Sequence, residues 1–478
     1  MSHQDDEAAT GPVLDAPTPH QDPPGPAPLL RRLNQRGFRL VMLLDVAALT
    51  VITLGSMLLR FGTNWPDAPV VNYLLSFAIA VAVFIASLYF GGLYDREPRL
   101  GAPPVLPRAG QQALAAGGLT ALISLGLSGL ARELEIGPER ALPFPITNLA
   151  ILIVLGAIAV SINRALVHVA RTRREGPPRV LLVGRPAEVE TALGHLEGER
   201  APARVVGVHS NGDDLLEVVQ RSDVTDVVLL SPRWLEYLYG PMLNELDQRG
   251  IAVMLRVTGR ETLLGLERIR EIGGMPFVRL RAQTMPRSRA RFKRLFDVVM
   301  LVLGAPVWLP VLGLITLYQL VVAGRPLLFW QERVGQGGHT FQMVKFRTMS
   351  IDAEADGRGA RLAESDDPRV IGACRWVRRT RMDELPQLWN VLRGEMSLVG
   401  PRPERPELTS GFERRIEGYD RRHEVPPGLT GLAQIHGRYH TDPEYKLGYD
   451  LQYLVNWSPL LDLQIILRTV WVVVARRI

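Results

Sequence analysis

Two adjacent carboxylates, Asp383 and Glu384, lie beside a group of arginines in the C-terminal third of the chain. Arg378, Arg379 and Arg381 precede the pair in the segment "RRTRMDELPQLWN". One carboxylate can attack a phosphoryl group, and a second can bind Mg²⁺, which takes one or two carboxylates together with substrate phosphates. Nearby arginines would stabilise the negative charge of a phosphoryl-transfer transition state. The pattern therefore indicates phosphoryl transfer assisted by a metal ion.

The same residues also have a purely structural interpretation. Thr380 followed three residues later by Asp383 resembles a capping box, and acidic residues in a first helical turn complement the helix dipole. Pro386 is tolerated near the start of a helix. This interpretation predicts that a helix begins here, but it gives no reason for the surrounding cations or for the later "GPRP" turn.

Further cations in this third of the chain occur in short segments bounded by turns. Arginine binds phosphate oxygens through two parallel hydrogen bonds and lysine adds a point charge, so we expect a phosphate-binding surface. The candidate phosphate ligands are Lys345, Arg347, Arg378 and Arg402. The glycine-rich "GQGG" at 335–338 lacks the lysine and serine of a phosphate-binding loop, and we interpret it as a hairpin turn.

The composition predicts that these residues belong to a membrane protein. Hydrophobic residues make up 47% of the 478 residues, and the mean hydropathy is +0.07, which is high for a soluble enzyme. Apolar runs long enough to cross a bilayer lie near Phe38–Leu59, Val71–Gly92, Ala109–Leu130 and Ile146–Ala170. Arginines cluster before the first run, between the second and third, and after the fourth. The positive-inside rule then places the N-terminus and the region after the fourth run in the cytoplasm.

The remaining organisation follows from shifts in composition. Residues 1–30 are acidic and then proline-rich, which predicts a disordered tail before a four-span region at 31–174. Residues 178–283 contain β-branched runs that alternate with helical stretches, which predicts a Rossmann-like parallel sheet. The segment "VGRPAEVE" after its first strand lacks the G-x-G-x-x-G of a dinucleotide site. A structural or dimerising domain is therefore favoured, which leaves a homodimer open.

A fifth apolar run, from Lys293 to Arg325, could form another membrane span. Cations flank it on both sides, so the charge bias favours neither orientation. Pro306 and Pro310 interrupt its middle, and proline bends a helix because it removes a backbone donor and clashes with the preceding turn. We therefore expect a re-entrant hairpin over 293–323 that enters the inner leaflet and returns, leaving a mainly helical catalytic domain at 291–478 on the cytoplasmic surface.

The segment from Lys293 to the end resembles the bacterial sugar transferases, the polyprenyl-phosphate glycosyl-1-phosphate transferases. It contains, in order, "KRLFD", the proline-interrupted hairpin, "QERVG", "KFRTM", "DELPQLWNVLRGEMSLVGPRP", "PGLTGLAQI" and "NWS…DL". The preceding spans and the Rossmann-like domain resemble the large polytopic branch of this family.

The resemblance implies transfer of a sugar-1-phosphate from a nucleotide diphosphate sugar, with a UDP-hexose as the expected donor, to undecaprenyl phosphate. Such a reaction initiates exopolysaccharide, capsule or O-antigen synthesis at the cytoplasmic face of the bacterial plasma membrane. By motif position, Asp383 would be the nucleophile of a covalent phospho-sugar intermediate, and Glu384 would bind Mg²⁺. Lys345, Arg378 and Arg402 would bind phosphates. No nucleic-acid partner is expected.

The sequence departs from the family pattern in the hairpin. Pro310 matches the mid-hairpin proline, but Leu309 stands where a serine often precedes it, and Pro306 is additional. Asp450 matches an acidic family position, and it is taken with Arg438 as a supporting residue without an assigned role.

Two other classes of protein have related features. Membrane-bound nucleotide-sugar dehydratases also join four spans to a Rossmann-like domain, but they need a Y-x-x-x-K pair, and no tyrosine here has a lysine four residues on. The alternative retained is a non-catalytic scaffold or regulator of polysaccharide export. The intact Asp383–Glu384 pair weighs against that alternative.

Overall fold

The structure, a computed structural model, describes most of the chain beyond the N-terminal segment. The described residues are 39–65, 69–95, 99–101, 104–133, 144–196, 203–210, 215–238, 241–257, 270–272, 274–280, 285–350, 368–436 and 442–474. The predicted tail at 1–30 lies outside them.

Four long helices form the N-terminal region at the predicted positions. They are α1 (Arg39–Phe61), α2 (Val70–Phe90), α3 (Val105–Glu133) and α4 (Ile146–Glu175). Their packed core includes Leu49, Phe84 and Leu152, whereas many apolar side chains on the outer faces are exposed. In the described part of the chain, α1, α2, α4 and the later helix Arg287–Val322 are long and apolar enough to cross a membrane. These helices identify a membrane protein.

A buried polar network joins α1 to α4. The Asp45 carboxylate accepts hydrogen bonds from Tyr94 Oη at 2.7 Å and Asn163 Nδ2 at 2.9 Å, and it pairs with Arg164 Nη1 at 2.7 Å. Charged side chains within a helical bundle are costly unless they find such partners. The network therefore fixes how the two helices pack.

A six-stranded sheet follows the bundle. Its strands are β1 (Arg179–Val183), β2 (Arg204–His209), β3 (Asp226–Leu229), β4 (Ala252–Arg256), β5 (Arg270–Ile272) and β6 (Met275–Leu280). The order is β2-β1-β3-β4-β6-β5. The first four strands are parallel, as predicted, whereas β6 pairs antiparallel with β4 and β5 in an edge hairpin that was not predicted.

Helices cover both faces of this sheet. They are α5 (Pro186–Leu196), α6 (Leu215–Arg221), α7 (Leu235–Leu238) and α8 (Pro241–Arg249). The core on one face includes Val180 and Leu182, and the core on the other includes Leu181 and Val183, as β-strand alternation requires.

The turn from β1 to α5 argues against dinucleotide binding. Glu188 Oε2 accepts a hydrogen bond from the Arg185 backbone N–H at 2.9 Å. A Cβ at Gly184 would lie 2.7 Å from Leu230 Cδ1 and 3.2 Å from Glu188 Oε2. The helix start where a pyrophosphate would bind therefore holds the domain's own carboxylate.

The C-terminal region combines helices with two small sheets. Its helices are α9 (Arg287–Val322), α10 (Arg375–Arg379), α11 (Leu388–Arg393), α12 (Pro406–Glu413), α13 (Leu432–His436), α14 (Pro443–Asn456) and α15 (Pro459–Val474). Its strands are β7 (Leu328–Val334), β8 (Thr340–Phe346), β9 (Ser397–Val399) and β10 (Gly428–Thr430). β7 and β8 form an antiparallel hairpin closed by a turn at Gln336–Gly338, which confirms the interpretation of "GQGG".

A buried ionic network fixes the start of α9 to the rest of this region. Lys293 Nζ lies 2.9 Å from Asp462 Oδ2 in α15 and 3.7 Å from Asp297 Oδ1. Ser397 Oγ donates to Asp297 at 2.7 Å, and Tyr453 Oη donates to Asp462 at 2.8 Å. These contacts explain Lys293 and Asp297 of the "KRLFD" segment and Asp462 of the "NWS…DL" segment.

Candidate active site

The Asp383–Glu384 pair lies in a tight turn between two short helices. After α10, Arg381 adopts left-handed backbone angles with φ of 57° and ψ of 17°, and a 3₁₀-helix then runs over Met382–Gln387. Among the described residues, Arg381 is the only non-glycine with positive φ. Such a conformation is costly for a side chain with a Cβ and often occurs at functional sites. The turn directs both carboxylates towards the cationic side chains described below.

The predicted capping box is wrong. Thr380 Oγ1 donates to the carbonyl of Trp376 at 2.8 Å and thus belongs to the end of α10. No side chain caps the 3₁₀-helix that follows. Because Arg381 has left-handed backbone angles between the two helices, Thr380 and Asp383 do not form the reciprocal bonds of a capping box.

Asp383 is buried without full hydrogen bonding. Its side chain is 8% exposed, and its Oδ1 atom has no hydrogen-bond partner. Burial and the adjacent Glu384 raise its pKa to about 7, against the opposing effects of Lys345, Arg381 and Arg378. An unsatisfied buried carboxylate oxygen is unusual and marks a group available to a ligand or reactant.

Glu384 points to a more open position between two arginines. Arg381 Nη1 lies 3.1 Å from Glu384 Oε1, and Arg402 Nη2 lies 3.9 Å from the same oxygen. The two carboxylates therefore have different environments, one desolvated and one paired with cations. This difference allows them to have different chemical roles.

Lys345 faces the carboxylates from β8. Burial, and after it the charge of Arg333, lower the pKa of Lys345 to about 8 against the opposing effects of Asp383 and Glu384. Gln331 Oε1 accepts from Arg333 Nη2 at 2.7 Å and from Lys345 Nζ at 3.5 Å. Gln331 and Arg333 are site residues that were not predicted from the sequence, although their two-residue spacing in a strand places both on one face.

The "GPRP" turn brings Arg402 to the site. A Cβ at Gly428 would lie 2.1 Å from the Gly400 backbone nitrogen. The "PGLTG" and "GPRP" segments can therefore pack this closely only because residue 428 is a glycine. The Gly400 N–H donates to the Thr430 carbonyl at 2.8 Å across β9 and β10. This close packing fixes the turn that presents Arg402.

Asp450 acts on this turn indirectly. It is buried and pairs with Arg422 Nη2 at 2.9 Å. Arg422 in turn donates to the Arg402 carbonyl at 2.9 Å. Burial raises the pKa of Asp450 to about 6, although Arg422 opposes the shift. The geometry therefore makes Asp450 a positioning residue, and Arg422, which was not predicted as a site residue, links it to the Arg402 turn.

The geometry does not support the predicted phosphate-binding role of Arg347. Its guanidinium donates to the carbonyls of Pro326 at 2.8 Å and Gly324 at 3.2 Å, and it also contacts Ala323 and Met349. β8 ends at Phe346, so Arg347 turns back towards the C-terminal end of α9. Its hydrogen-bonding groups cap that helix. Arg438 lies outside the described residues.

The site offers two carboxylates to a metal ion. In the part of the chain that the structure describes, no three His, Cys, Asp or Glu side chains form a metal-binding group. Mg²⁺ is usually held by one or two carboxylates plus substrate phosphates, so Glu384 and the unpartnered Asp383 oxygen fit this ion. They do not fit a closed structural metal site.

Comparison with known proteins places these residues in a family. The profile described as bacterial sugar transferase matches residues 288–476. A UDP-glucose:undecaprenyl-phosphate glucose-1-phosphate transferase of Caulobacter vibrioides is 42% identical over 183 residues, covering 37% of this chain and 68% of the relative. The chain belongs to the bacterial sugar transferase family.

Other relatives of this sugar transferase match over a similar length of the chain. An undecaprenyl-phosphate glucose phosphotransferase of Komagataeibacter xylinus is 42% identical over 186 residues, covering 37% of this chain and 35% of the relative. A UDP-N-acetylgalactosamine-undecaprenyl-phosphate N-acetylgalactosaminephosphotransferase of Aeromonas hydrophila is 39% identical over 185 residues, covering 38% of this chain and 43% of the relative. The chain thus matches less than half the length of these two relatives. The names of these two relatives specify different sugars, glucose and N-acetylgalactosamine, although both relatives have a similar sequence identity to this chain.

Proposed function

We propose that the chain transfers a sugar-1-phosphate from a nucleotide diphosphate sugar to undecaprenyl phosphate, with Asp383 as the nucleophile. The observation that supports this most strongly is the buried Asp383 carboxylate, which has one oxygen without a partner among cations. A carboxylate with these surroundings is suited to attack a phosphoryl group. The names of the relatives support the same reaction class and favour a UDP-sugar donor.

The reaction would proceed in two displacements. In the first, an Asp383 oxygen forms a bond to the phosphorus nearest the sugar, and the bond from that phosphorus to the bridging oxygen breaks. The nucleoside monophosphate leaves with the electron pair. In the second, a phosphate oxygen of undecaprenyl phosphate bonds to the same phosphorus and the Asp383–phosphorus bond breaks. The second displacement restores the carboxylate and releases a diphosphate-linked sugar lipid.

The neighbouring charges have separate roles in this proposal. Lys345, Arg378 and Arg402 would bind the donor phosphates and stabilise the charge that develops on the transferred group. Glu384, with substrate phosphates, would hold Mg²⁺. When bound, Mg²⁺ supplies charge neutralisation at the phosphoryl oxygens. Arg381 and Arg402 keep Glu384 oriented towards the same space.

The proposed reaction has a defined pH dependence. Attack requires ionised Asp383, so kcat/KM of the free enzyme should rise with pH near 7. Phosphate binding requires protonated Lys345, so kcat/KM should fall near pH 8. The arginine of Lys345→Arg keeps its positive charge at high pH, so we expect the fall of kcat/KM to move to higher pH while the rise stays near pH 7. If kcat/KM falls at the same pH in the variant, Lys345 is not the group whose deprotonation causes the fall.

We further propose that α9 is a re-entrant hairpin whose two arms return to the same catalytic domain. Its N-terminal arm is held by Lys293 and Asp297, and its C-terminal arm by Tyr318, which donates to the Ala373 carbonyl at 2.9 Å, and by the Gln319–Cys374 contact. A straight helix would separate residues 293 and 319 by about 39 Å.

The apolar contacts of α9 support a bend at its two prolines. Leu301 clusters with Met343, whereas Ile315 clusters with Phe346. The two partners are about 10 Å apart along β8, but a straight helix would separate Leu301 and Ile315 by about 21 Å. Pro306 and Pro310 lie between them, and Trp308 Nε1 donates back to the Leu301 carbonyl at 2.8 Å.

The hairpin proposal predicts where the ends of α9 lie relative to the membrane. Cysteines placed singly at Arg291 and Arg325, both exposed, should react with a membrane-impermeant maleimide from the cytoplasmic side only. The native Cys374 is buried and provides an unreactive background. Labelling of the two positions from opposite sides would instead require a true fifth span. A re-entrant arrangement would keep the catalytic domain at the cytoplasmic face of the plasma membrane.

A screen of donors and acceptors tests the proposed function as a whole. Membranes containing the protein are supplied with UDP-glucose, UDP-galactose or UDP-N-acetylated hexosamines, with and without undecaprenyl phosphate. We expect one donor to give monophosphate release that is sustained only with the acceptor. Absence of release with every donor would favour the scaffold alternative.

A further inference from the structure

One face of strand β7 directs two side chains without an assigned role towards the candidate active site. Phe329, Gln331 and Arg333 alternate along the strand and are half-buried, whereas the residues between them are exposed. Phe329 pairs across the hairpin with Lys345 of β8, so these four side chains lie on the same face. Lys345 Nζ lies 5.3 Å from the centre of the Phe329 ring. The "QERVG" motif therefore places Gln331 and Arg333 beside a lysine of the site.

Arg333 is a cation without an ion pair. Its Nη1 donates to the Pro403 carbonyl at 3.1 Å, and its Nη2 donates to Gln331 Oε1 at 2.7 Å. Its Nε atom is buried and has no hydrogen-bond partner. Within the described part of the chain, no carboxylate forms an ion pair with Arg333. Several of its N–H donors therefore remain for a ligand.

The surroundings of Arg333 make its charge costly when no ligand is bound. Burial, and after it the charge of Arg402, lower the pKa of Arg333 to about 10, and Glu404 and Glu384 oppose the shift. Neither of these two carboxylates forms an ion pair with Arg333, and Glu384 pairs with Arg381 instead. A partly desolvated cation without a carboxylate partner is unfavourable unless a ligand supplies the opposite charge. Arg333 therefore has the environment of a residue that binds an anion.

Gln331 holds Arg333 and Lys345 together through one neutral oxygen. Its Oε1 atom accepts from Arg333 Nη2 at 2.7 Å and lies 3.5 Å from Lys345 Nζ. Among the residues that the structure describes, Lys345 also lacks an ion pair. An amide oxygen has two lone pairs and can orient two donors, but unlike a carboxylate it does not neutralise their charge. Both cations therefore keep their charge for a third group.

Arg333 is also attached to the turn that presents Arg402. The carbonyl to which its Nη1 donates belongs to Pro403, the next residue in that turn. The backbone N–H of Val334 donates to the Glu404 carbonyl at 3.0 Å. The end of β7 and the "GPRP" turn are therefore joined, and Arg333 lies beside the residues expected to bind phosphate.

We propose that Arg333 is a further phosphate-binding residue of the candidate active site, and that Gln331 is the positioning residue that keeps it beside Lys345. The ligand is a phosphate group of the donor diphosphate. Arginine binds such a group through paired hydrogen bonds, and lysine adds a point charge. The identity of the donor rests on the proposed function, whereas the anion site rests on the contacts of Arg333. The phosphate of undecaprenyl phosphate is the other source of the same group.

Titration calorimetry of the full-length protein in phosphatidylcholine nanodiscs with Mg²⁺ tests this inference. The probe is UDP, which carries the diphosphate of the expected donor without the sugar. Arg333→Gln removes the cation, and Gln331→Glu places a carboxylate of the same size between the two cations. Gln342→Glu is the matched control, because Gln342 is exposed on the other face of the same hairpin, opposite Glu332. Melting temperature and the KM for undecaprenyl phosphate are measured for each variant.

We expect the dissociation constant for UDP to rise at least about tenfold in Arg333→Gln and in Gln331→Glu, and to stay unchanged in Gln342→Glu. The melting temperature of Gln331→Glu should be equal or higher, because its new carboxylate pairs with cations that have none. A purely structural role of Gln331 predicts that this substitution leaves UDP binding unchanged.

The remaining outcomes separate the ligand from the reaction. Unchanged UDP binding with a KM for undecaprenyl phosphate at least about tenfold higher in both variants would support the site with the lipid phosphate as its ligand. An unchanged dissociation constant for UDP and an unchanged KM for the lipid in Arg333→Gln would overturn the proposal. Weaker UDP binding by the variants of a protein that releases no monophosphate with any donor would reject the transfer reaction and support the phosphate site.

Discussion

Asp383→Asn is expected to lower nucleoside monophosphate release by about a thousandfold or more, because the amide cannot form the bond to phosphorus. The substitution keeps the side-chain volume and removes a charge that is costly at this buried position, so the fold should be retained. Release of the monophosphate is measured in membranes with the active donor, and melting temperature is measured in parallel. The loss should appear in kcat, since the missing interaction is covalent.

Asp420→Asn is the matched control for this experiment. Asp420 is exposed on the 3₁₀-helix Tyr419–Glu424, so we expect its replacement to leave turnover unchanged. Substantial turnover in Asp383→Asn with an intact fold would exclude Asp383 as the nucleophile, whatever the activity of the control.

Glu384→Gln should have the second largest effect. The amide is isosteric but neutral, so it weakens Mg²⁺ binding and releases the two arginines that pair with Glu384. We expect turnover to fall by about a hundredfold and the Mg²⁺ concentration for half-maximal activity to rise by about tenfold or more. Chelation of the metal should abolish the activity of the wild type reversibly.

Glu424→Gln provides the comparison for this metal titration. Glu424 pairs with Arg421 three residues away and has the same side-chain exposure as Glu384, 17%. Its variant should keep the wild-type Mg²⁺ dependence. An unchanged half-maximal Mg²⁺ concentration in Glu384→Gln would show that this carboxylate does not hold the metal.

The features that depend on local sequence could be predicted. The apolar runs gave the positions of α1 to α4, and alternating β-branched runs gave the four parallel strands. The structure also brings Lys345, Arg378 and Arg402 around the Asp383–Glu384 pair. Hydrophobic periodicity and motif spacing are properties of short segments, so no long-range contact is needed to recognise them.

The sequence-based predictions fail where backbone geometry, or contacts between distant parts of the chain, determine the position of a side chain. Lys345 and Arg347 have the spacing of one strand face, but the strand ends between them and Arg347 caps α9 instead. The capping box failed because Arg381 adopts positive φ, which is uncommon for arginine. The link from Asp450 through Arg422 to Arg402 joins residues far apart in sequence.

The central claim is a covalent bond between Asp383 and the transferred phosphate. The wild type is incubated with its donor but without undecaprenyl phosphate, quenched, and digested with trypsin to give the peptide 382–393, which contains both carboxylates. We expect mass spectrometry to show the added mass of one sugar phosphate on Asp383, lost on addition of undecaprenyl phosphate and absent from Asp383→Asn. Turnover without any such adduct, or an adduct on another residue that transfers to the lipid, would contradict the proposed mechanism.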